Sequence, residues 1–155
     1  MNIIFNRLIR LTGPESFSKI SQSRVIIFGV GGVGSWCAES LVRSGVENLT
    51  IVDSDLVCVT NINRQLQATT KTIGEVKVES LKKRLEEINP RVKVNAIEKI
   101  YNKETQKEFD LNLFDYVIDA IDSLSCKVEL IAHALSSDTI LYSSFGAASK
   151  IDPSR

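Results

Sequence analysis

A glycine cluster at residues 29–34 has the composition and spacing of a phosphate-binding loop. It reads Gly-Val-Gly-Gly-Val-Gly and matches the G-x-G-x-x-G pattern of nucleotide-binding turns. In this pattern Gly29 permits a tight turn, Gly31 lets backbone N–H groups approach a phosphate, and Gly34 lets a helix pack closely on a strand. Gly32 completes the loop at the start of the predicted helix, where the helix dipole favours an anion. The cluster therefore predicts a nucleotide site.

Asp53 lies where a ribose ligand is expected. It is 19 residues beyond Gly34 and ends an apolar segment that is typical of a buried strand. A carboxylate in this position accepts hydrogen bonds from ribose hydroxyl groups. The alternative is that the glycines only form a tight strand-to-helix turn and bind nothing.

The polar residues that follow favour ATP over a dinucleotide. Residues 60–65 include the amides of Asn61 and Asn63 and the guanidinium of Arg64, and Lys77 begins the next predicted helix. These groups would neutralise a triphosphate. A carboxylate beside them would suit magnesium, because Mg²⁺ takes one or two protein carboxylates and leaves its other positions to phosphate and water. Hydride transfer would need neither the metal nor the additional cations, and little chain remains for a second mononucleotide-binding half.

Asp122 is the candidate magnesium ligand. It follows the fourth predicted strand and would lie at the carboxyl edge of the sheet, where open α/β sheets bind their ligands. The sequence therefore predicts a site for ATP and Mg²⁺ at this edge.

The composition excludes several classes of protein. The chain has 155 residues with 19 basic and 19 acidic side chains, so bulk electrostatic binding of nucleic acid is not expected, although a local basic patch is compatible with this balance. No apolar run reaches the roughly 18 residues of a membrane span, and we expect no membrane helix and no secretory signal. Cys37, Cys58 and Cys126 are too far apart for a disulfide framework or a zinc motif. We predict a cytoplasmic protein.

The elements that would position these residues alternate between strand and helix. An apolar stripe predicts a short N-terminal helix over about 3–11, stopped by residues 12–14. A long polar loop is expected over 54–72. The predicted strands are 24–28, 48–53, 92–97, 115–119 and 139–145, and the other helices are 35–44, 77–88, 103–109 and 123–135. This order predicts an α/β fold with a doubly wound, mainly parallel Rossmann-like sheet, in one ATP-binding domain over 1–155.

Taken together, these motifs resemble the ThiF/MoeB/E1 superfamily of ATP-dependent carboxylate-adenylating enzymes. The resemblance is carried by the glycine loop, Asp53-Ser-Asp55, residues 60–65, Lys77 and Asp119-Ala-Ile-Asp122. Within the superfamily, residues 57–66 and the ending over 146–153 are most similar to the tRNA threonylcarbamoyladenosine dehydratases.

The resemblance implies a role for each matching residue. Gly31 and its neighbours would form the phosphate loop, and Asp53 would bind the ribose. The triphosphate would be held by Asn61, Arg64 and Lys77, and the magnesium ion by Asp122. Catalysis in this superfamily is mainly electrostatic, so the residues expected to take part in it are Arg7, Arg64, Lys77 and Asp122.

Arg7 carries a further implication, since it matches an arginine that dimers of this superfamily insert into the partner's site. A homodimer is therefore expected. Two departures from the family pattern are visible: Val76 precedes the lysine where the family usually has proline, and the resembling enzymes continue for about another domain. We therefore expect the chain to be the N-terminal part of a longer enzyme.

The implied reaction is ATP-dependent adenylation of a carboxylate that cyclises N6-threonylcarbamoyladenosine 37 of tRNA. One alternative within the superfamily is adenylation of the C-terminus of a ubiquitin-like sulfur carrier, with a sulfur-transfer protein as partner. Another is a nucleotide-binding module without turnover. The candidate residues for a tRNA contact are basic: Lys82, Lys83, Arg84, Arg91 and Lys93. The alternative is that the first three only form the solvated face of their helix.

The remaining polar and aromatic residues are given structural interpretations. We expect Asp55 to shape its loop, and Asp119 to be either a site residue or only a strand-end acid. His133 lies in an apolar helix and is expected to be structural, and Trp36 is expected to pack in the interior.

Overall fold

A computed structural model describes residues 3–145 of the chain, and its centre is a parallel five-stranded sheet. The strand order is β3-β2-β1-β4-β5, and every neighbouring pair is parallel. The chain adds β2 and β3 on one side of β1 and then β4 and β5 on the other, so the strand order reverses between β1 and β4, as in doubly wound folds. The strands are β1 Arg24–Phe28, β2 Asn48–Val52, β3 Lys93–Ile97, β4 Tyr116–Asp119 and β5 Ile140–Ser143. The predicted Rossmann-like architecture is confirmed.

Between residues 3 and 145, five α-helices accompany the sheet: α1 Asn6–Thr12, α2 Pro14–Gln22, α3 Gly32–Arg43, α4 Lys77–Ile88 and α5 Leu124–Leu135. Alternate residues of β1 supply both faces of the core, because side chains alternate along a strand. Val25 and Ile27 pack with buried residues of α3 and α4 on one face. Ile26 and Phe28 pack with buried residues of α5 on the other. The short apolar strands thus anchor loops at their carboxyl ends.

The N-terminal segment differs from the prediction. Instead of one helix over 3–11, the structure has a 3-10 turn at Ile3–Phe5 followed by two short helices. Gly13 adopts a φ of 82°, which separates the helices, and Pro14 then begins α2 as a first-turn proline. The rings of Phe5 and Phe17 pack with their centroids 5.4 Å apart. The segment from Ile3 to Gln22 is therefore a bent pair of helices.

Two other elements are shorter than predicted. The helix expected over 103–109 is only a 3-10 turn at Gln106–Glu108, and a second such turn spans Leu111–Leu113. Asn102 caps the turn just before Gln106–Glu108, because its side-chain oxygen accepts the N–H groups of Glu104 and Thr105. The fifth strand covers 140–143 rather than 139–145. The predicted family-like ending at 146–153 lies outside the described residues.

Within residues 3–145, none of the helices has the length and apolar character that crossing a bilayer requires.

Candidate functional site

A cleft of about 340 Å³ opens at the carboxyl ends of β1, β2, β3 and β4. It lies beside the strand-order reversal, which is where open α/β sheets bind ligands. The cleft brings together most of the residues that the sequence singled out: Gly29, Gly31, Asp53, Asn61, Arg64, Lys77 and Asp122. Gly32, Gly34, Asn63 and Arg7 do not line it.

The glycine loop has no room for side chains at two of its positions. Gly29 has a φ of 84°, and a Cβ atom built on it would lie 2.6 Å from the carbonyl oxygen of Ala120. A Cβ atom on Gly34 would lie 1.8 Å from the carbonyl oxygen of Gly29. Gly34 therefore acts by close packing behind the loop, while Gly31 caps α3 and faces the cleft. The arrangement aims the N-terminus of α3 at the cleft, which favours an anionic ligand.

The peptide groups of Val30 are held from two sides. The carboxylate of Asp53 accepts the Val30 N–H at 2.8 Å, and the Gln67 side-chain amide donates to the Val30 carbonyl oxygen at 2.8 Å. The second Asp53 oxygen accepts the Asp55 N–H at 2.9 Å. A carboxylate has about four lone-pair sites, so Asp53 still has acceptor capacity for ribose hydroxyls. Gln67 is buried, and the sequence patterns did not single it out.

The crossover segment after β2 presents an amide and a guanidinium to the cleft. Asn61 is buried at the end of a 3-10 turn, Val59–Asn61, and its side-chain oxygen accepts the Cys58 N–H at 2.9 Å. Arg64 Nη1 donates to the Thr60 carbonyl oxygen and to Asn63 Oδ1, both at 3.1 Å. Asn63, predicted as a direct nucleotide ligand, therefore lies outside the cleft wall and contacts the Arg64 side chain.

Trp36 has a different role from the packing one we expected. Its side chain is 56% exposed, and its indole N–H donates to the Arg64 carbonyl oxygen at 3.1 Å. Gly32 lies beside the same arginine, since a Cβ atom there would meet Arg64 Cγ and Cδ at 3.4 Å. Both residues at the start of α3 therefore support Arg64, although neither lines the cleft.

Lys77 is a buried cation at the start of α4. Its ammonium lies 2.7 Å from the carboxylate of Asp55, and its backbone N–H donates to the Asp55 carbonyl oxygen at 3.0 Å. Asp55 therefore does shape its loop, as expected, and it also supplies the charge partner of Lys77. Together with Arg64, Lys77 provides the positive side of the cleft.

Asp122 lies on the opposite side, in the turn between β4 and α5. It is exposed, and within residues 3–145 it forms no hydrogen bond or ion pair with another side chain or backbone group. The same residues contain no cluster of three or more acidic, cysteine or histidine side chains that would hold a metal by protein ligands alone. The donor set fits a magnesium ion held by one carboxylate and completed by phosphate and water.

A third wall of the cleft comes from the segment after β3, which the sequence patterns did not identify. It contributes Lys99, Ile100 and Tyr101. Tyr101 packs edge-on against Phe28, with the ring centroids 4.7 Å apart, and its hydroxyl lies 2.9 Å from His133 Nδ1. Burial, with smaller contributions from nearby acidic groups, raises the pKa of Tyr101 to about 12. Its position in the sequence could have identified this segment as part of the site, because it directly follows a strand at the ligand-binding edge of the sheet.

His133 agrees with its structural interpretation, since its hydrogen bond to Tyr101 lies behind the cleft and its ring does not line it. Arg7 is an exposed residue of α1, away from the residues that line the cleft. Its predicted role in a partner's site stays a prediction.

Most of the predicted basic group is engaged in ion pairs within the chain. Lys83 pairs with Glu75 at 3.2 Å, Arg84 with Glu39 at 2.6 Å, and Arg91 with Glu47 at 3.0 Å. Paired cations attract phosphate less strongly than free ones, so this surface is a weak candidate for nucleic-acid contact.

Comparison with known proteins agrees with this description of the fold. The ThiF family model matches residues 5–150. The tRNA threonylcarbamoyladenosine dehydratase of Bacillus subtilis is 44% identical over 151 residues, which are 97% of this chain and 59% of that protein. The dehydratase of Haemophilus influenzae is 41% identical over 151 residues, or 97% of this chain and 58% of that protein.

A crystal structure of the Escherichia coli tRNA N6-threonylcarbamoyladenosine dehydratase in complex with ATP matches with a TM-score of 0.92 at 36% identity. The match covers 97% of this chain and 62% of that one. The chain thus spans about 60% of the length of these relatives. The ThiF family model matches residues 5–150, and two relatives are more than 40% identical over nearly the whole chain, so this chain belongs to the ThiF family.

Proposed function

We propose that residues 1–155 form one ATP-binding adenylation domain, the N-terminal part of a tRNA threonylcarbamoyladenosine dehydratase. The observation that carries the proposal is the single cleft that joins a glycine loop, a ribose-type acid, two cations and an acidic side chain. The relatives' names and the ATP complex of the Escherichia coli enzyme support both the nucleotide and the reaction. Their greater length supports a longer enzyme.

The nucleotide would lie across the cleft with its phosphates at the N-terminus of α3. Asp53 would accept hydrogen bonds from the ribose. Asn61, Arg64 and Lys77 would bind the triphosphate, because their amide and cationic groups face the same space. A magnesium ion held by Asp122 would neutralise phosphate charge when bound.

In the first step, the threonyl carboxylate of the tRNA substrate attacks the α-phosphorus of ATP. The bond to the bridging oxygen breaks, and pyrophosphate leaves with the electron pair. An acyl-adenylate remains. The nucleophile is already ionised, so the step needs no side-chain base. Arg64 and Lys77 would act by stabilising the charge that develops on the phosphates, which is the main source of catalysis in phosphoryl-type transfers.

In the second step, the carbamoyl oxygen of the same substrate attacks the activated carbonyl carbon. AMP leaves, a carbamoyl N–H proton is released, and a five-membered ring closes. No protein nucleophile is needed for this sequence. The exposed Cys58 and the cleft-lining Cys126 therefore have no assigned covalent role.

The proposal includes a cytoplasmic homodimer, with tRNA as the macromolecular substrate. Exposed apolar residues of the N-terminal segment favour a partner surface, since Ile3 is 85% and Leu11 82% exposed. Arg7 lies between them on the same segment.

The test uses the full-length protein, ATP, Mg²⁺ and tRNA that carries N6-threonylcarbamoyladenosine. We expect pyrophosphate release that depends on this tRNA, and a nucleoside lighter by one water in mass spectrometry. Arg64→Ala and Asp122→Asn should each lower the rate by about 10²-fold or more, as loss of a major electrostatic contact does. Lys19→Ala, which changes an exposed cation of α2 that does not line the cleft, is the control. Variants within threefold of wild type would remove Arg64 and Asp122 from the mechanism.

The same assay separates the alternatives. Pyrophosphate release that requires a ubiquitin-like sulfur carrier instead of tRNA would identify a sulfur-carrier adenylating enzyme. ATP binding without release in either case would identify a nucleotide-binding module.

A further inference from the structure

A buried ion pair lies behind the cleft, at the end of β4. Asp119 is 0% and Lys127 3% exposed, and Lys127 Nζ lies 2.7 Å from Asp119 Oδ2. The same carboxylate oxygen accepts the Ser143 hydroxyl at 2.6 Å, and Lys127 also donates to the Ser144 carbonyl oxygen at 2.8 Å. Lys127 Nζ and Asp119 Oδ2 therefore each have two hydrogen-bond partners. Neither residue lines the cleft.

The pair is connected directly to the turn that carries Asp122. Asp119 Oδ1 accepts the backbone N–H of Ile121 at 3.0 Å. Lys127 begins the second turn of α5, and its backbone N–H donates to the Ser123 carbonyl oxygen at 2.9 Å. The start of the turn between Asp119 and Ser123 is thus held by the Asp119 side chain, and its end by the first backbone hydrogen bond of α5.

The turn also contacts the glycine loop. The carbonyl of Ala120 occupies the space beside Gly29, and the Ala120 N–H donates to the Phe28 carbonyl oxygen at 2.9 Å. A shift of the turn would therefore move Asp122 relative to the phosphate-binding loop.

Stability alone is a poor reason for this pair. Removing two charges from water is expensive, and well-packed apolar residues in the same place are often as stable or more so. An apolar pair, however, would leave the Ile121 N–H without its acceptor. An oxygen at position 119 is what the Ile121 N–H bonds to in the observed conformation.

We propose that Asp119, whose buried charge Lys127 balances, is a positioning residue: its side-chain oxygen fixes the 119–123 turn so that the Asp122 carboxylate faces the phosphate side of the cleft. Asp119 supplies the acceptor for the Ile121 N–H, and Lys127 balances the buried charge of that carboxylate from behind. The inference rests on the proposed metal-binding role of Asp122.

The test measures how much Mg²⁺ strengthens ATP binding, by calorimetric titration with ATP in EDTA and in Mg²⁺. Two double variants remove the buried charges in the same way and differ only in the acceptor. Asp119→Asn/Lys127→Met keeps a side-chain oxygen for the Ile121 N–H, and Asp119→Leu/Lys127→Met removes it. Asp122→Asn reports on the metal ligand itself, and thermal unfolding without nucleotide reports on the fold.

We expect Asp119→Leu/Lys127→Met to lower the Mg²⁺-dependent gain in affinity at least fivefold, as Asp122→Asn does. ATP binding in EDTA should change less than threefold. Asp119→Asn/Lys127→Met should keep the gain within twofold of wild type. A purely structural role would instead change unfolding temperature without separating the two double variants.

The outcomes distinguish this inference from the proposed function. A folded Asp119→Leu/Lys127→Met protein with the wild-type gain would overturn the positioning role and leave that of Asp122 intact. If both double variants and Asp122→Asn all keep the Mg²⁺-dependent gain in affinity, the metal role of Asp122 is overturned, and the positioning role with it.

A second measurement uses the unaltered protein and so does not depend on how a variant folds. In amide hydrogen exchange without nucleotide, we expect the Ile121 N–H to be as strongly protected as the β4 amides, because its acceptor, Asp119, is buried. Exchange of this amide at the rate of an exposed loop would show that Asp119 does not hold the turn.

Discussion

The ammonium of Lys77 lies 2.7 Å from the carboxylate of Asp55, although Lys77 is 7% exposed and Asp55 66% exposed. The lysine that lines the phosphate side of the cleft therefore already has a partner on its solvent side. A bound triphosphate would place a second negative group beside the Lys77 ammonium, which already pairs with the Asp55 carboxylate. Asp55 is expected to moderate the attraction between the cleft and an anionic nucleotide.

We predict that Asp55→Asn strengthens ATP binding by about twofold to fivefold. The amide removes a competing negative charge, and the gain is modest because Asp55 is 66% exposed and solvent screens its charge. Calorimetric titration at low and high salt measures it, and the gain should shrink as salt screens the charges. Glu75→Gln is the matched control, since Glu75 pairs with Lys83 outside the cleft. Weaker binding by Asp55→Asn would mean that the pair orients Lys77 for phosphate.

We also predict that the protein binds ATP–Mg²⁺ in preference to NAD. Arg64, Lys77 and Asp122 line one cleft, and this set of charges suits a triphosphate with its metal better than the smaller charge of a dinucleotide. Parallel titrations with the two ligands give the comparison. Tighter binding of NAD would contradict the assignment of the nucleotide.

We predict that Tyr101, in the third wall of the cleft, makes the stability of the folded protein depend on alkaline pH. Burial raises its pKa to about 12 from an ordinary value of 10.0, so the folded state favours the neutral phenol. The unfolded chain loses this proton first, and the stability contributed by Tyr101 should be present below pH 10 and fall as the pH rises toward 12. Urea unfolding at a series of pH values should show wild type losing stability relative to Tyr101→Phe. Parallel curves for the two proteins would argue against the raised pKa.

The sequence was informative where chemistry and position coincide. The buried strands are short runs of β-branched and apolar residues, and the glycine loop follows the first of them directly, so the sheet and the phosphate-binding edge were predictable. Asp53 and Asp122 lie in the cleft because each follows a strand at that edge, and Lys77 because it begins the next helix. Asn61 and Arg64 line the same cleft from the crossover segment between β2 and α4.

Other features depend on contacts between distant residues. Lys127 occurs in an apolar helix pattern, and only the fold reveals its contact with Asp119, eight residues earlier. Tyr101 joins the cleft because it packs on Phe28. The fifth strand ends early, where the Ser144 carbonyl accepts a hydrogen bond from the Lys127 side chain. Hydrophobic periodicity carries no signal for such contacts.

The final prediction concerns Arg7 and the proposed homodimer. Arg7 is exposed on α1, and the same segment exposes the apolar side chains of Ile3, Ile4 and Leu11. If a partner covers this surface, Arg7 can reach the phosphates bound to the other subunit, where a guanidinium would stabilise transition-state charge. Arg64, in contrast, lines the cleft of its own subunit. The two arginines of one complete site would then come from different chains.

In the full-length protein, we expect Arg7→Ala and Arg64→Ala homodimers each to be nearly inactive in tRNA-dependent pyrophosphate release. A mixed dimer would contain one site with both changes and one site with neither. Mixing the two variants should therefore restore activity, up to about half of wild type per mixed dimer if the sites are independent. Subunit exchange is verified with differently tagged chains. If Arg7 served its own subunit, every site in the mixed dimer would lack one arginine, and exchange would bring no recovery.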